Sequence, residues 1–198
     1  MSTPGPPATL LDGLLEGTDV VIAGDDDGLG ERAAELGARV HRFAADLLDE
    51  DAVTKEVAGL MGADVLVCDT GAVLRAGPGG PQGLADVVAG AFTLTRAILV
   101  GSFEPAGRGL ALLVAPRPGD GAQAGAAAAA LENLARTASV EWARLGVRVV
   151  VVRPRDVTTD AALADLVAHL ASPAGAYYSG CVLDLGVAGL TGYPSASS

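Results

Sequence analysis

Residues 19–53 read DVVIAGDDDGLGERAAELGARVHRFAADLLDEDAV, and this stretch decides the fold. A valine-rich run gives way to a glycine-punctuated segment, a helical A-A-E-L pattern, a second apolar run and an acidic helix start. Short apolar runs alternating with helical periodicity predict a parallel α/β sheet covered on both faces. Working outward, strands are predicted at 19–23, 39–44, 64–68, 109–115, 147–152 and 181–185, several of them valine-rich without clean alternation, as in strands buried on both faces. Helices are predicted at 28–36, 49–61, 83–100, 122–144 and 160–170. Asp49 is a predicted N-cap, and Gly37 and Gly146 are predicted C-terminal stops. The breakers at 77–81 and the segment 116–121 read as loops. Residues 10–190 are expected to form one domain between a disordered tail at 1–9 and a loose tail at 191–198.

The chain has 198 residues, half of them hydrophobic, and a net charge of −11. That acidity argues against nucleic acid or an anionic membrane surface as partner. Cys68 and Cys181 are expected to be buried, reduced small hydrophobes, with no disulfide. With His41 and His169 as its only histidines, the chain is not expected to hold a metal. No signal peptide and no membrane-crossing helix are read, so a cytoplasmic location is expected.

Residues 121–144, GAQAGAAAAALENLARTASVEWAR, carry A-A-L-E-N-L at 129–134 and V-E-W-A at 140–143. Residues 87–97, VVAGAFTLTRA, resemble N-x-x-G-x-F-x-L-T-R-A, and DVLVCDTG at 64–71 resembles D-V-L-V-N-N-A-G. VRVVVVRPRDVTTD at 147–160 is similar to a strand ending in Pro-Gly and a Thr-Asp pair. LVAHLASPAGAYYSGCVLDLG at 166–186 looks like a last helix, a Y-x-x-G turn and a final strand. Together these motifs, over roughly residues 14–187, resemble the short-chain dehydrogenase/reductase family.

The resemblance implies a Rossmann-like doubly wound sheet and a proton relay of tyrosine, lysine, serine and asparagine around an NAD(P) cofactor. In this chain the tyrosine and lysine positions fall on Ala124 and Ala128, the serine on Ala115 and the helix asparagine on Val87. The N-N pair falls on Cys68 and Asp69. The single lysine, Lys55, and the tyrosines at 177, 178 and 193 restore no Y-x-x-x-K. Alanine and valine donate no proton, and hydride transfer to a carbonyl needs a donor.

Gly24, Gly28 and Gly30 have the G-x-x-x-G-x-G spacing of the family's cofactor loop, but three aspartates stand between the first two. Negative charge there opposes a pyrophosphate. The run 19–53 also matches, without gaps, the family's second strand, next helix and third strand. The first strand and true glycine loop would then be missing, residues 10–17 would be the stump of the first helix, and Asp46 would be the acid that touches adenine. The other reading is a shortened genuine loop. With one βα unit gone, right-handed crossovers predict about six strands in the order 2-1-3-4-5-6, with residues 19–23 pairing directly with 64–68.

The resemblance also implies a four-helix interface between subunits, for which Phe92, Leu94, Arg96, Leu131, Leu134 and Trp142 are the candidate residues. The helix at 122–130 reads as apolar around nearly its whole circumference. Tyr177 and Tyr178 are expected to pack in a structural turn, and Arg155 to form a salt bridge. The functional expectation is a non-catalytic subunit, itself without cofactor, that pairs with an intact homologue carrying NAD(P). The alternatives are a homodimeric or homotetrameric small-ligand-binding protein, or an NAD(P)-dependent ketoreductase with atypical residues.

Overall fold

A computed structural model describes residues 10–24 and 28–186. The two predicted tails, Asp25 to Asp27 and Tyr193 lie outside the described residues. Six parallel strands form one sheet: β1 (Asp19–Ala23), β2 (Arg39–Phe43), β3 (Val65–Asp69), β4 (Gly109–Val114), β5 (Val147–Arg153) and β6 (Val182–Asp184), in the order β2-β1-β3-β4-β5-β6. This is the predicted doubly wound, Rossmann-like order. Its key pairing is also present, with Val20 opposite Val65 and Ala23 opposite Cys68.

The helices are α1 (Leu29–Glu35), α2 (Glu50–Ala58), α3 (Thr70–Ala76), α4 (Gly80–Ile98), α5 (Glu104–Ala106), α6 (Ala124–Glu141) and α7 (Asp160–Ala171). The α3 helix was not predicted: Asp69 caps it by accepting the Gly71 amide at 2.9 Å, in a stretch where the glycines at 71 and 77 obscure helical periodicity. The predicted cap Asp49 accepts the Ala52 amide at 3.0 Å, and Gly37 and Gly146 take left-handed conformations where their helical segments stop. Residues 10–17 are hydrogen-bonded turns and no helix stump. Leu15, wholly buried, plugs them under α1 and α7.

The sheet separates two apolar layers because side chains alternate across it. Val21, Leu66, Leu113 and Val149 face α4 and α6, whereas Ile22, Val67, Leu112 and Val150 face α7. At the open edge β2 is mostly exposed, and its charges are paired: Arg39 with Asp19 at 2.7 Å, His41 with Glu56 at 3.4 Å, and Arg42 with Glu31 at 2.5 Å. After α4 the chain runs through a π-helical turn (Leu99–Phe103) into α5. The whole helical run Gly80–Ala106 is long and apolar enough, by length and composition alone, to cross a membrane, which corrects the expectation that none is. Its inner face, with Val87, Leu94 and Ile98, packs into the sheet layer.

Candidate functional site

The four positions where the resemblance expects a proton relay lie on one side of the sheet. Val87 of α4, Ala115 just beyond β4, and Ala124 and Ala128 on the inner face of α6 all belong to one apolar cluster, with Cys68 of β3. All four are at most 4 % exposed. Burial raises the Cys68 thiol to about 12, with the Asp69 charge adding to the effect, so it stays protonated and inert. Cys181 is half-buried, and both cysteines are free.

Beside this cluster the carboxyl edge of the sheet is laced by ion pairs. Arg117, in the loop after β4, donates to the Thr158 carbonyl and to Asp160, at 2.7 and 2.8 Å, across to the start of α7. Asp120 accepts from Arg75 of α3 at 2.7 Å and from the Arg117 amide at 2.7 Å. Arg155, beyond β5, grips both oxygens of Asp184 on β6, with Nε at 2.9 and 3.1 Å, as expected of it. That hydrogen-bonded guanidinium lowers the Asp184 carboxyl to about 2. The sequence did not single out Arg75, Arg117 or Asp120, because partners 41 to 45 positions away leave no local signal.

The glycine stretch lies at the carboxyl end of β1, where strand order reverses between β1 and β3. In open α/β sheets ligands bind at this kind of crevice. Gly24 has φ +76°, and a Cβ there would lie 2.3 Å from the Asp69 carbonyl oxygen, so this glycine answers to close packing against β3. Gly28, at φ +71°, precedes α1 without a side-chain cap, and Gly30 is buried inside that seven-residue helix. Next to Gly24 opens a cleft of about 520 Å³, walled by Phe43, Leu47, Leu48, Ala72, Val73 and Pro78. Asp46 and Asp86 are its charged lining residues. Among the described residues, no three histidines, cysteines or carboxylates group as metal ligands.

The candidate interface residues divide. Leu94 and Leu131 are wholly buried in the chain's own core and do not reach the surface, since each lies on the sheet-facing side of its helix. Phe92 is 43 % exposed. Leu134 and Trp142 are half-buried against the core. Arg96 is exposed and pairs with Glu50 at 3.2 Å. The outer apolar surface consists instead of Leu84, Ala85, Val88, Ala89 and Phe92 on α4 with Ala130 and Leu134 on α6, flanking a shallow hollow. The α6 helix is therefore not uniformly buried: Gly125, Ala126 and Ala129 face outward, followed by Asn133, Arg136 and Val140. Tyr177 projects almost fully into solvent and does not pack, and its turn is held by Arg148 donating to the Gly175 carbonyl at 2.7 Å.

No protein-family model matches the chain, and no curated protein matches it. Solved structures do. A citronellol catabolism dehydrogenase from Pseudomonas aeruginosa PAO1 superposes with a TM-score of 0.73 at 23 % identity, over 89 % of this chain and 96 % of that one. A hydroxysteroid dehydrogenase from Escherichia coli gives 0.73 at 19 % identity, over 90 % and 99 %. A 3-ketoacyl-(acyl-carrier-protein) reductase from Brucella melitensis, solved with NADH, gives 0.71 at 22 % identity, over 86 % and 97 %. Likeness at this level establishes the shared fold: this chain has the Rossmann-like α/β architecture of these dehydrogenases.

Proposed function

We propose that this chain is a non-catalytic subunit that associates, through the outer faces of α4 and α6, with a catalytically complete homologue in a heteromeric oxidoreductase. The observation that carries the reading is that Val87, Ala115, Ala124 and Ala128, where the resemblance expects the proton relay, are buried apolar side chains in the core on one side of the sheet. General acid catalysis needs a proton donor within hydrogen-bond reach of the reacting oxygen, and these side chains hold none. The residues at the switch point also do not fit a nicotinamide dinucleotide. Gly24 is taken up by its contact with β3, and Arg117 and Arg155 are engaged in ion pairs. The apolar strip from Leu84 to Phe92, with Ala130 and Leu134, is the kind of contiguous patch that marks an interaction surface. Small side chains let a partner's helices approach closely. A mixed assembly would place the homologue's equivalent helices on this strip about a pseudo-twofold axis.

The experiment is co-expression with intact homologues, followed by native mass spectrometry of the purified product. A defined hetero-oligomer is expected, while the isolated chain oxidises no reduced nicotinamide cofactor with ketone substrates. A stable homo-oligomer that ignores every partner, or turnover by the chain alone, would defeat the reading. A second reading, a homo-oligomeric small-ligand-binding protein, draws on the 520 Å³ cleft beside Gly24. Ligands that raise the melting temperature by mass action would support it.

A further inference from the structure

We propose that the cleft at the carboxyl ends of β1, β2 and β3 binds a small organic cation, a protonated amine carried on an apolar body. The inference rests on the ligand-binding reading of this cleft and is independent of whether the chain assembles with a homologue. The volume of about 520 Å³ lies within the range of small-molecule pockets. Its position, where the strand order reverses, is where ligands of open α/β sheets gather.

The lining decides the class of ligand. Phe43, Leu47 and Val73 give apolar walls, one of them aromatic, which suits the body of an amphiphile and, at Phe43, a cation as well. Among the described residues, every charged side chain lining the cleft is a carboxylate, Asp46 or Asp86. Each is oriented through one oxygen, Oδ1 of Asp46 by the Leu48 amide at 3.0 Å and Oδ1 of Asp86 by the Gln82 side-chain amide at 2.7 Å. Among the described residues neither is joined to an arginine, lysine or histidine, whereas Arg32, Arg39, Arg108 and Arg155 all hold acids elsewhere. An anionic phosphate entering here would meet two like charges and, among the described lining residues, no counter-charge. An ammonium group would meet two oriented acceptors.

The test uses the full chain and three indole probes: tryptamine, its isosteric neutral alcohol tryptophol, and the anion indole-3-propionate. Calorimetric titration should show saturable one-to-one binding of tryptamine, with amide shifts at residues 43–48 and 72–77 in NMR spectra. Because a charge-assisted contact is lost, Asp46→Asn and Asp86→Asn should each weaken tryptamine about tenfold. Both variants keep the side-chain oxygen that accepts the local hydrogen bond, so their melting temperatures should stay near wild type. Tryptophol should bind at least tenfold more weakly than tryptamine, about the worth of the missing charged contact. Equal binding of tryptophol, or indifference to both substitutions, would overturn the cation assignment while leaving a ligand site in place. Absence of binding by any probe would overturn the site and the ligand-binding reading with it. Preferential binding of indole-3-propionate or of ADP-ribose would overturn the proposal in favour of an anion site.

Discussion

Single residues show which contacts hold the site together. At Gly24 a left-handed backbone lies against the Asp69 carbonyl, with 2.3 Å available to a methyl group. Gly24→Ala therefore combines backbone strain with a clash against main chain, and a loss of about 2–4 kcal/mol is expected in a urea unfolding curve, with the slope unchanged. The pair Arg155–Asp184 makes a prediction in pH. The folded carboxyl is depressed from 3.8 to about 2, so its stabilising contribution is present above pH 4 and lost as pH falls from about 4 to about 2. NMR titration of the Asp184 carboxyl should find this low midpoint, and Arg155→Ala should return it toward 3.8. Both partners are about one-third exposed, so the effect on global stability is small.

Among the elements, α4 shows most clearly what the amino-acid order reveals and what it leaves out. The motif at residues 87–97 made a helix legible, yet it placed Phe92 and Leu94 on the same candidate interface. Two positions apart on a helix point to different faces, and the structure puts Leu94 in the core and Phe92 on the outside. The two substitutions should separate cleanly. Leu94→Ala should cost about 2–5 kcal/mol of folding stability in chemical denaturation by opening a cavity. Phe92→Glu should leave stability within about 0.5 kcal/mol of wild type and abolish the proposed hetero-oligomer in native mass spectrometry. Strand order was readable because valine-rich runs and right-handed crossovers leave few arrangements. The α3 helix was not, because its start depends on an aspartate cap in a glycine-flanked stretch. The ion pairs at the carboxyl edge were not either, since their partners meet only once the sheet has formed.

For the molecule as a whole, the proposed lack of catalysis is a matter of packing as much as of chemistry. Ala124 and Ala128 are buried in the core layer between α6 and the sheet, so placing a tyrosine and a lysine there is not expected to create a working relay. The double variant Ala124→Tyr, Ala128→Lys should show no oxidation of reduced nicotinamide cofactor. It should also lose at least about 2 kcal/mol in thermal or chemical unfolding, because a ring and an ammonium would be forced into a filled apolar layer. Full stability together with turnover would refute this view of the core.

The outermost strand has a consequence for how such molecules meet. Arg39, His41 and Arg42 crowd β2 with charge, and their carboxylate partners hold that charge at the rim. A neighbouring chain seeking to extend the sheet would have to bury those groups beside its own backbone, as natural sheets arrange to prevent. Strand addition at this edge is thereby discouraged, even for a protein with an apolar helical flank, and contact there is left to side chains rather than to main chain.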